Sequence, residues 1–397
     1  MTQTQKQNVP KLRFSEFDAV WTKANVNLNN IQIIDGDRGA NYPKSDDFSS
    51  QGDCLFLSAK NVTKTGFVFD ETSFISASKD AAMSKGKLSR GDIVLTTRGS
   101  LGHVALFSDA VEYNHIRINS GMVLLRTDAQ SEPPFIYQQL ISRRFQREVE
   151  RISFGSAQPQ LTVKGIKKMP VSICSLPEQR KIASFLGAVD EKITHLSRKK
   201  ALLEDYKKGC MQQLFSQEIR FKDDDGNDFP DWEEKRLGGL AKITTGSSNR
   251  EDSDSVGEYA FFDRSNDIRW SSRYLFDCEA IIVAGEGKDF PPRYFNGKFD
   301  LHQRAYAVTD FGVNSANFLF FWINQHRAHF LKFSVGSTMP SLRMNAFSNF
   351  PVSLPHPAEQ RKIADFLSAL DRKIDLVVQE LTHARSFKAG LLQQMFV

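Results

Sequence analysis

The chain has 397 residues, 40% of them hydrophobic, with 52 Lys+Arg against 47 Asp+Glu and a net charge of +5. That length supports two or more domains with full cores, and the mild basic excess suits nucleic acid without demanding it. Four scattered cysteines (Cys54, Cys174, Cys210 and Cys278) exclude a zinc or disulfide framework, the start MTQTQKQNVPKLRF has no signal-peptide run, and no stretch of about 18 apolar residues could span a membrane, so a cytoplasmic location is expected.

From the N-terminus, an aromatic start KLRFSEFDAVWTKANV precedes short β-branched runs, GDIVLTTRGSLGHVALF and SGMVLLRT, which read as strands and turns. A helical pattern follows in PPFIYQQLISRRFQREVERI. Glu132-Pro133-Pro134-Phe135 approaches the signature of adenine methyltransferases. However, Glu stands where an amide or Asp must hold the target amino group, and no glycine-rich cofactor loop lies upstream, so the prolines are read as a helix start. Next come the loop GSAQPQL and the segment PEQRKIASFLGAVDEKI, whose apolar residues Ile182, Leu186, Val189, Ile193, Leu196, Leu203, Cys210 and Leu214 form a heptad seam that lapses at Lys200 and Lys207. Ser175 to Glu178 has capping-box spacing.

The second half starts with IRFKDDDGNDFPDWEEKRL, in which Phe221 and Trp232 answer Phe14 and Trp21. Strand patterns EAIIVAGEG and AYAVTD, a helical pattern NFLFFWINQHRAHFLKF and the loop GSTMPSLR follow. Glu286-Gly287-Lys288, with Asp277 or Asp267 upstream, has the Glu-x-Lys spacing of metal-dependent nucleases, but the comparable TTRGSLG of the first half has neither carboxylate nor Lys. His302, His326 and His329 are read as surface or satisfied core residues. The last stretch repeats the heptad helix with Ile363, Leu367, Leu370, Ile374, Val377, Leu381, Ala384, Leu391 and Met395, a charged lapse at Lys388, and Pro357 at its first position.

Offset by 181 residues, positions 153–215 and 334–396 share 25 identities in 63. A duplicated unit explains this. The expected fold is α/β (α+β): two similar globular domains, 1–175 and 216–355, and two long antiparallel coiled-coil helices, 176–215 and 356–397, in a pseudo-twofold tandem repeat. The scaffold is copied while the loops are not, as expected of a protein reading two different targets.

Two diverged domains, each followed by a heptad helix that starts EQRKIA, resemble the specificity subunits of Type I restriction-modification systems. The resemblance implies two target recognition domains, each reading one half of a bipartite asymmetric site on double-stranded DNA. It also implies helices that set the spacer and dock two modification subunits, which carry S-adenosylmethionine and the adenine methylation chemistry, with restriction subunits using ATP and Mg joining that core. The chain itself would hold no cofactor or metal and perform no catalysis. The alternatives are a stand-alone metal-dependent DNA-processing enzyme using Glu286 and Lys288, and an adaptor whose domains bind proteins.

Bases are read by polar and Arg/Lys side chains on loops. The candidate DNA contacts are Lys60 and Asn61, then Thr97, Arg98 and Ser100, then Ser156, Gln158 and Gln160 in the first domain. In the second they are Arg264, Ser265, Asn266, Lys288, Arg304, Ser337, Ser341 and Arg343. The candidate partner-binding residues are the duplicated runs Glu178-Gln179-Arg180-Lys181 and Glu359-Gln360-Arg361-Lys362.

Overall fold

The computed structural model describes residues 8–27, 30–153, 159–265, 267–336 and 338–396. They fall into two compact units, 1–197 with 380–397, and 198–379. Both long helices form as the heptad pattern predicts, over Leu176–Phe215 and Pro357–Met395. Each gives its first part to one unit and its last part to the other.

In the first unit, an antiparallel sheet runs in the order Gln32–Asp35, Met122–Arg126, Ile93–Thr96, Val104–Leu106. A second sheet places Cys54–Leu57 between Phe74–Ile75 and Ile116–Ile118, the last pair being parallel. Side chains alternate between two cores, as the strand period requires. Ile93, Leu95, Val123 and Leu125 face a helical core with Phe135 and Phe145, whereas Val94 and Leu124 pack with Leu55, Leu57, Ile116 and Ile118. With both faces covered, Ile93, Val94 and Leu95 are apolar in succession and all four residues of IVLT are buried.

The second unit repeats the plan in one six-stranded sheet, ordered Lys242–Thr245, Ala305–Thr309, Phe276–Ala284, Arg293–Leu301, Tyr259–Phe262, Arg269–Ser271. Ile281, Val283 and Val308 face the helices, and Ile282 and Ala307 face Phe262 and Phe299. The two helical patterns that precede the GS loops are broken: Pro133–Leu140 is followed by Arg143–Ser153, and Ala316–Gln325 by Ala328–Phe333. At the first break Ser142 starts the new helix, its hydroxyl accepting from the Phe145 amide at 3.4 Å.

The start of the first long helix packs with the end of the second in the first unit, Ile182 and Leu186 sharing a core with Leu391, Met395 and Phe396. In the second unit Leu214 and Phe215 share a core with Ile363 and Leu367. The pairing is therefore antiparallel. Two of the three lysines that interrupt the seam are matched across the helices, Lys388 Nζ lying 2.5 Å from Asp190 in the first unit and Lys207 Nζ 2.5 Å from Asp371 in the second, while Lys200 pairs with Glu204 on its own helix at 2.7 Å. Each residue of one interhelical pair sits 181 positions from its counterpart in the other.

The repeated opening of each helix has a different use from the one its repetition suggests. Glu178 is 1% exposed, and its carboxylate takes two hydrogen bonds from Arg13, at 2.7 and 2.8 Å, and one from the Trp21 indole at 3.1 Å. Glu359 is likewise buried against Arg220, at 3.1 and 2.8 Å, and Trp232 at 3.1 Å. The adjacent aromatics repeat too, Phe14 meeting Phe185 edge-on at 5.7 Å and Phe221 meeting Phe366 at 5.9 Å. Gln179 accepts from the Glu132 amide and donates to Gln130 and Cys174 carbonyls, and Gln360 does the same with Ser315, Pro355 and the Asn314 side chain. Glu178, Gln179, Glu359 and Gln360 are thus corrected from partner-docking residues to internal anchors, because burial removes them from any partner. Arg180, Lys181, Arg361 and Lys362 lie on the outer side, with Arg180 65% exposed.

Removing one member of a buried, hydrogen-bonded ion pair strands the other. Glu178→Ala is expected to destabilise the first unit by about 3 to 5 kcal/mol, and Glu178→Gln, which keeps an acceptor, by less. Denaturant unfolding with hydrogen exchange on residues 10–25 measures both; equal stability of Glu178→Ala and the parent would disprove the anchor.

Candidate nucleic-acid interface

Several of the singled-out loops meet at one edge of each unit. In the first, the turn after Ile93–Thr96 is held by backbone bonds from Thr97 and Arg98 to the Gly121 carbonyl, at 2.8 and 3.2 Å, and the Leu161 amide bonds the Thr97 carbonyl at 3.0 Å. Thr97 is buried, whereas Arg98, Ser100 and Gln160 are exposed on this edge. The neighbouring loop adds Arg38, whose guanidinium donates to the Ser120 carbonyl at 3.2 Å. Sequence reasoning missed it, because nothing local in IIDGDRG marks Arg38 as lying beside residue 120. Gly36 allows that approach: a Cβ there would stand 2.2 Å from the Asn119 carbonyl oxygen.

The second unit builds the same edge with other residues. The Gly285 amide bonds the Arg304 carbonyl at 2.8 Å and the Leu342 amide bonds the Gly285 carbonyl at 2.7 Å. These are the counterparts of the Thr97 to Gly121 and Leu161 to Thr97 bonds. By that correspondence Glu286 occupies the place of Arg98, and Arg304 the place of Gly121. Glu286 pairs with Arg304 through one carboxylate oxygen and with Arg264 through the other at 3.3 Å. Lys288 is exposed beside them, and Arg343 is exposed just before the short helix Met344–Ser348. Ser341 forms a two-way backbone bridge with Val335.

Three candidates are corrected by burial or internal bonding. Asn61 is 2% exposed; its side chain accepts from Ser58 and donates to the carbonyls of Val68 and Glu71, bracing its own turn. Thr97, also 2% exposed, supplies backbone only. The Ser265 amide donates to Asp263 Oδ1 at 2.6 Å, closing an Asx-type turn, and its hydroxyl donates to the same oxygen at 2.6 Å. Lys60 is exposed and pairs with Glu71 at 2.6 Å, on a turn whose Val62 carbonyl lies 3.1 Å from Nδ1 of His103 at the end of the Arg98 loop. Ser156, Gln158, Asn266 and Ser337 lie outside the described residues.

The carboxylate of Glu286 is unsuited to the metal role that its spacing suggests, since both oxygens are already paired with guanidinium groups. Among the described residues no cluster of three or more His, Cys, Asp or Glu has metal-binding geometry. His326 lies tilted against Trp322 and His329 stacks on Phe333, and burial lowers both imidazoles from their ordinary value. Burial also lowers His302, whose Nδ1 accepts from the Arg304 amide at 3.0 Å.

Residues 23–205 and 230–383 match the family described as Type I restriction modification DNA specificity domain. The chain is 30% identical over 145 residues to the Type I restriction enzyme EcoDI specificity subunit of Escherichia coli, a match that covers 36% of this chain and spans only 32% of that relative. It is 21% identical over 345 residues to the Type I restriction enzyme MjaIX specificity subunit of Methanocaldococcus jannaschii, 77% of each chain. Among solved structures, the S subunit of a Type I restriction-modification system from M. genitalium aligns with a TM-score of 0.67 at 17% identity, covering 98% of this chain and 99% of that one. A chain from a study of complex assembly and conformational transition in the type I R-M system gives 0.55 at 15% identity, covering 95% and 97%. At those identities the two structures speak for the fold.

The loop that presents Arg38 carries a pH dependence. Asp37 is 6% exposed and accepts from the amides of Gly39 and Ser84, both at 2.7 Å, which hold its carboxyl down at about 2. A depressed carboxylate contributes stability that is complete above its unfolded value near 4 and is lost as pH falls through the folded value near 2. Asp37→Asn should therefore be less stable at neutral pH and show a shallower loss of stability between about pH 4 and pH 2. Denaturant midpoints across that range provide the check, and parallel profiles would contradict it.

Proposed function

The chain belongs to the Type I restriction modification DNA specificity domain family, and we propose that it is the non-catalytic subunit that reads a bipartite asymmetric site on double-stranded DNA. The observation that carries this reading is the pair of loop edges. The same hydrogen-bond frame is built twice, yet the exposed chemistry on it differs, Arg98 beside Gly121 in one unit and Glu286 beside Arg304 in the other. Identical frames with different side chains are what two half-sites of unlike sequence require, since donors and acceptors in the major groove distinguish the base pairs. An adaptor for one protein partner would have no use for that divergence.

Two copies of a modification subunit, bearing S-adenosylmethionine, would dock on the duplicated outer surface that includes Arg180, Lys181, Arg361 and Lys362. The long helices would set the unread spacer. Restriction subunits, with ATP and Mg, would join that assembly.

Mapping adenine methylation in cells that express the chain with its modification subunits tests the assignment: one bipartite motif is expected. Arg98→Ala should relax one half-site, by about 1 to 3 kcal/mol if the side chain makes a bidentate base contact, and leave the other half and the spacer length unaltered. Equal loss on all sequences would move Arg98 to the phosphates. Charge reversal at Arg180 and Arg361 together should reduce the number of modification subunits retained in a sizing experiment; unchanged stoichiometry would place docking elsewhere on the helices.

A further inference from the structure

In the second unit the carboxylate of Glu286 is 12% exposed and lies between two guanidinium groups that are more than half exposed, Arg264 at 54% and Arg304 at 64%. Glu286 takes a single terminal nitrogen, Nη1, from each. Among the described residues neither guanidinium makes another hydrogen bond, which leaves the remaining donors of both forks available. The glutamate itself is fixed by backbone: Gly285 is bonded on both sides, to Arg304 and Leu342, and the Gly287 amide donates to the Pro340 carbonyl at 3.0 Å. At Gly285 a Cβ would stand 2.5 Å from the Arg304 carbonyl oxygen, so the strand end can approach this closely only without a side chain.

Beside the triad lies a cleft of about 330 Å³ lined by Asp263, Arg264, Glu286, Lys288 and Arg293 among others. Arg293 donates through Nη2 to the Ser265 carbonyl, while its Nη1 is buried and has no partner among the described residues. A shielded guanidinium nitrogen without a partner is costly, and an acceptor brought into the cleft would satisfy it.

We propose that Arg264 and Arg304 read guanine in the half-site of the second unit, and that Glu286 is the positioning residue that holds both guanidinium forks in place. The proposal rests on the DNA-reading assignment above and adds to it the base. The major-groove edge of a G·C pair offers the guanine O6 and N7 acceptors next to the cytosine amino donor. Each guanidinium gives only Nη1 to Glu286, so its Nε and Nη2 can present the parallel pair of donors that guanine O6 and N7 accept together, while the carboxylate, with both oxygens taken, reads no base. A phosphate fits the triad less well, because the carboxylate would face its negative charge at short range. Tying a long, exposed arginine to a fixed carboxylate also removes rotamer freedom before binding, which otherwise opposes association. The first unit has Arg98 where Glu286 stands and Gly121 where Arg304 stands, so the arrangement belongs to one half-site only.

The test uses the full complex with its modification subunits, comparing the parent with Arg264→Ala, Arg304→Ala and Glu286→Gln. Adenine-methylation maps and selection of bound duplexes from a randomised pool by the purified complexes are read in parallel, the second needing no catalysis. The expected result is a parent motif with at least one G·C pair in the half-site that these substitutions alter. Each arginine variant should lose discrimination at that pair by about 5- to 140-fold, the equivalent of one bidentate contact. Glu286→Gln should blur the same position while the first half-site stays sharp, which a merely structural role would not produce. The inference is overturned if that half-site lacks G·C, if the arginine variants weaken binding on all sequences alike, or if Glu286→Gln leaves the motif as sharp as the parent. Absence of any bipartite motif for the parent complex would instead defeat the functional reading itself.

Discussion

The architecture depends on a buried carboxylate at the start of each long helix. A glutamate with 0 or 1% exposure is tolerable only when its charge is met by an opposite charge and its lone pairs by donors. Here an arginine eight or twelve residues before a tryptophan supplies the bidentate pair, and the indole supplies a third bond. The chain therefore cannot vary Glu178 without Arg13 and Trp21, or Glu359 without Arg220 and Trp232. The next residue extends the constraint inward. Gln179 and Gln360 tie the helix start to the segment that opens each domain's own helix, so arm, helix and globular layer are fixed at one point.

A second constraint sets the register of the helices. An apolar seam alone tolerates sliding by a heptad, and a lysine inside it costs stability unless a carboxylate stands opposite. Lys388 with Asp190, and Lys207 with Asp371, meet that condition only in the antiparallel arrangement found. Because the duplication copies both members of the pair, one sequence solution specifies register in both units. The partial exposure of the aspartates, 36 and 38%, limits the electrostatic gain, which makes specificity of pairing the better account of why the charges persist.

The repeat, the two helices, their seam and the mixed sheets were legible in the sequence because each rests on periodicity or on self-similarity, which survive without knowledge of tertiary contacts. The anchors were not. EQRK reads as a solvated, docking-type run, and Glu178 as a capping residue, until a partner 165 residues away, Arg13, is seen to bury it. The sequence signal is the shared Arg-Phe at 13–14 and 220–221, in which the arginine matters as much as the aromatic. Loop residues failed for a related reason. Asn61 and Thr97 have the composition of base readers, but whether a polar loop side chain faces outward or braces its own turn is decided by a few local hydrogen bonds that composition does not encode. Arg98, Arg264, Lys288 and Arg304 sit on exposed loop edges partly because charged groups rarely stay buried unpaired.

Glycine explains how one frame carries two chemistries. At the two loop crossings of the second unit the backbones approach so closely that a Cβ at Gly246 would stand 1.8 Å from the Leu301 carbonyl oxygen and one at Gly285 2.5 Å from that of Arg304. In the first unit Gly36 plays the first part, while Thr97 takes the position of Gly285 with its side chain buried instead. The path of the backbone is thus held by close packing and main-chain bonds, none of which involves the exposed side chains one residue further on. Those positions are free to change charge without disturbing the sheet beneath. Arginine can be exchanged for glutamate at the 98/286 position, provided that the neighbouring position supplies compensating cations, as Arg304 does where the first unit has Gly121. Divergence of the reading surface is therefore coupled between adjacent loops and decoupled from the core, which is the physical condition for a duplicated domain to recognise a different partner while keeping its fold.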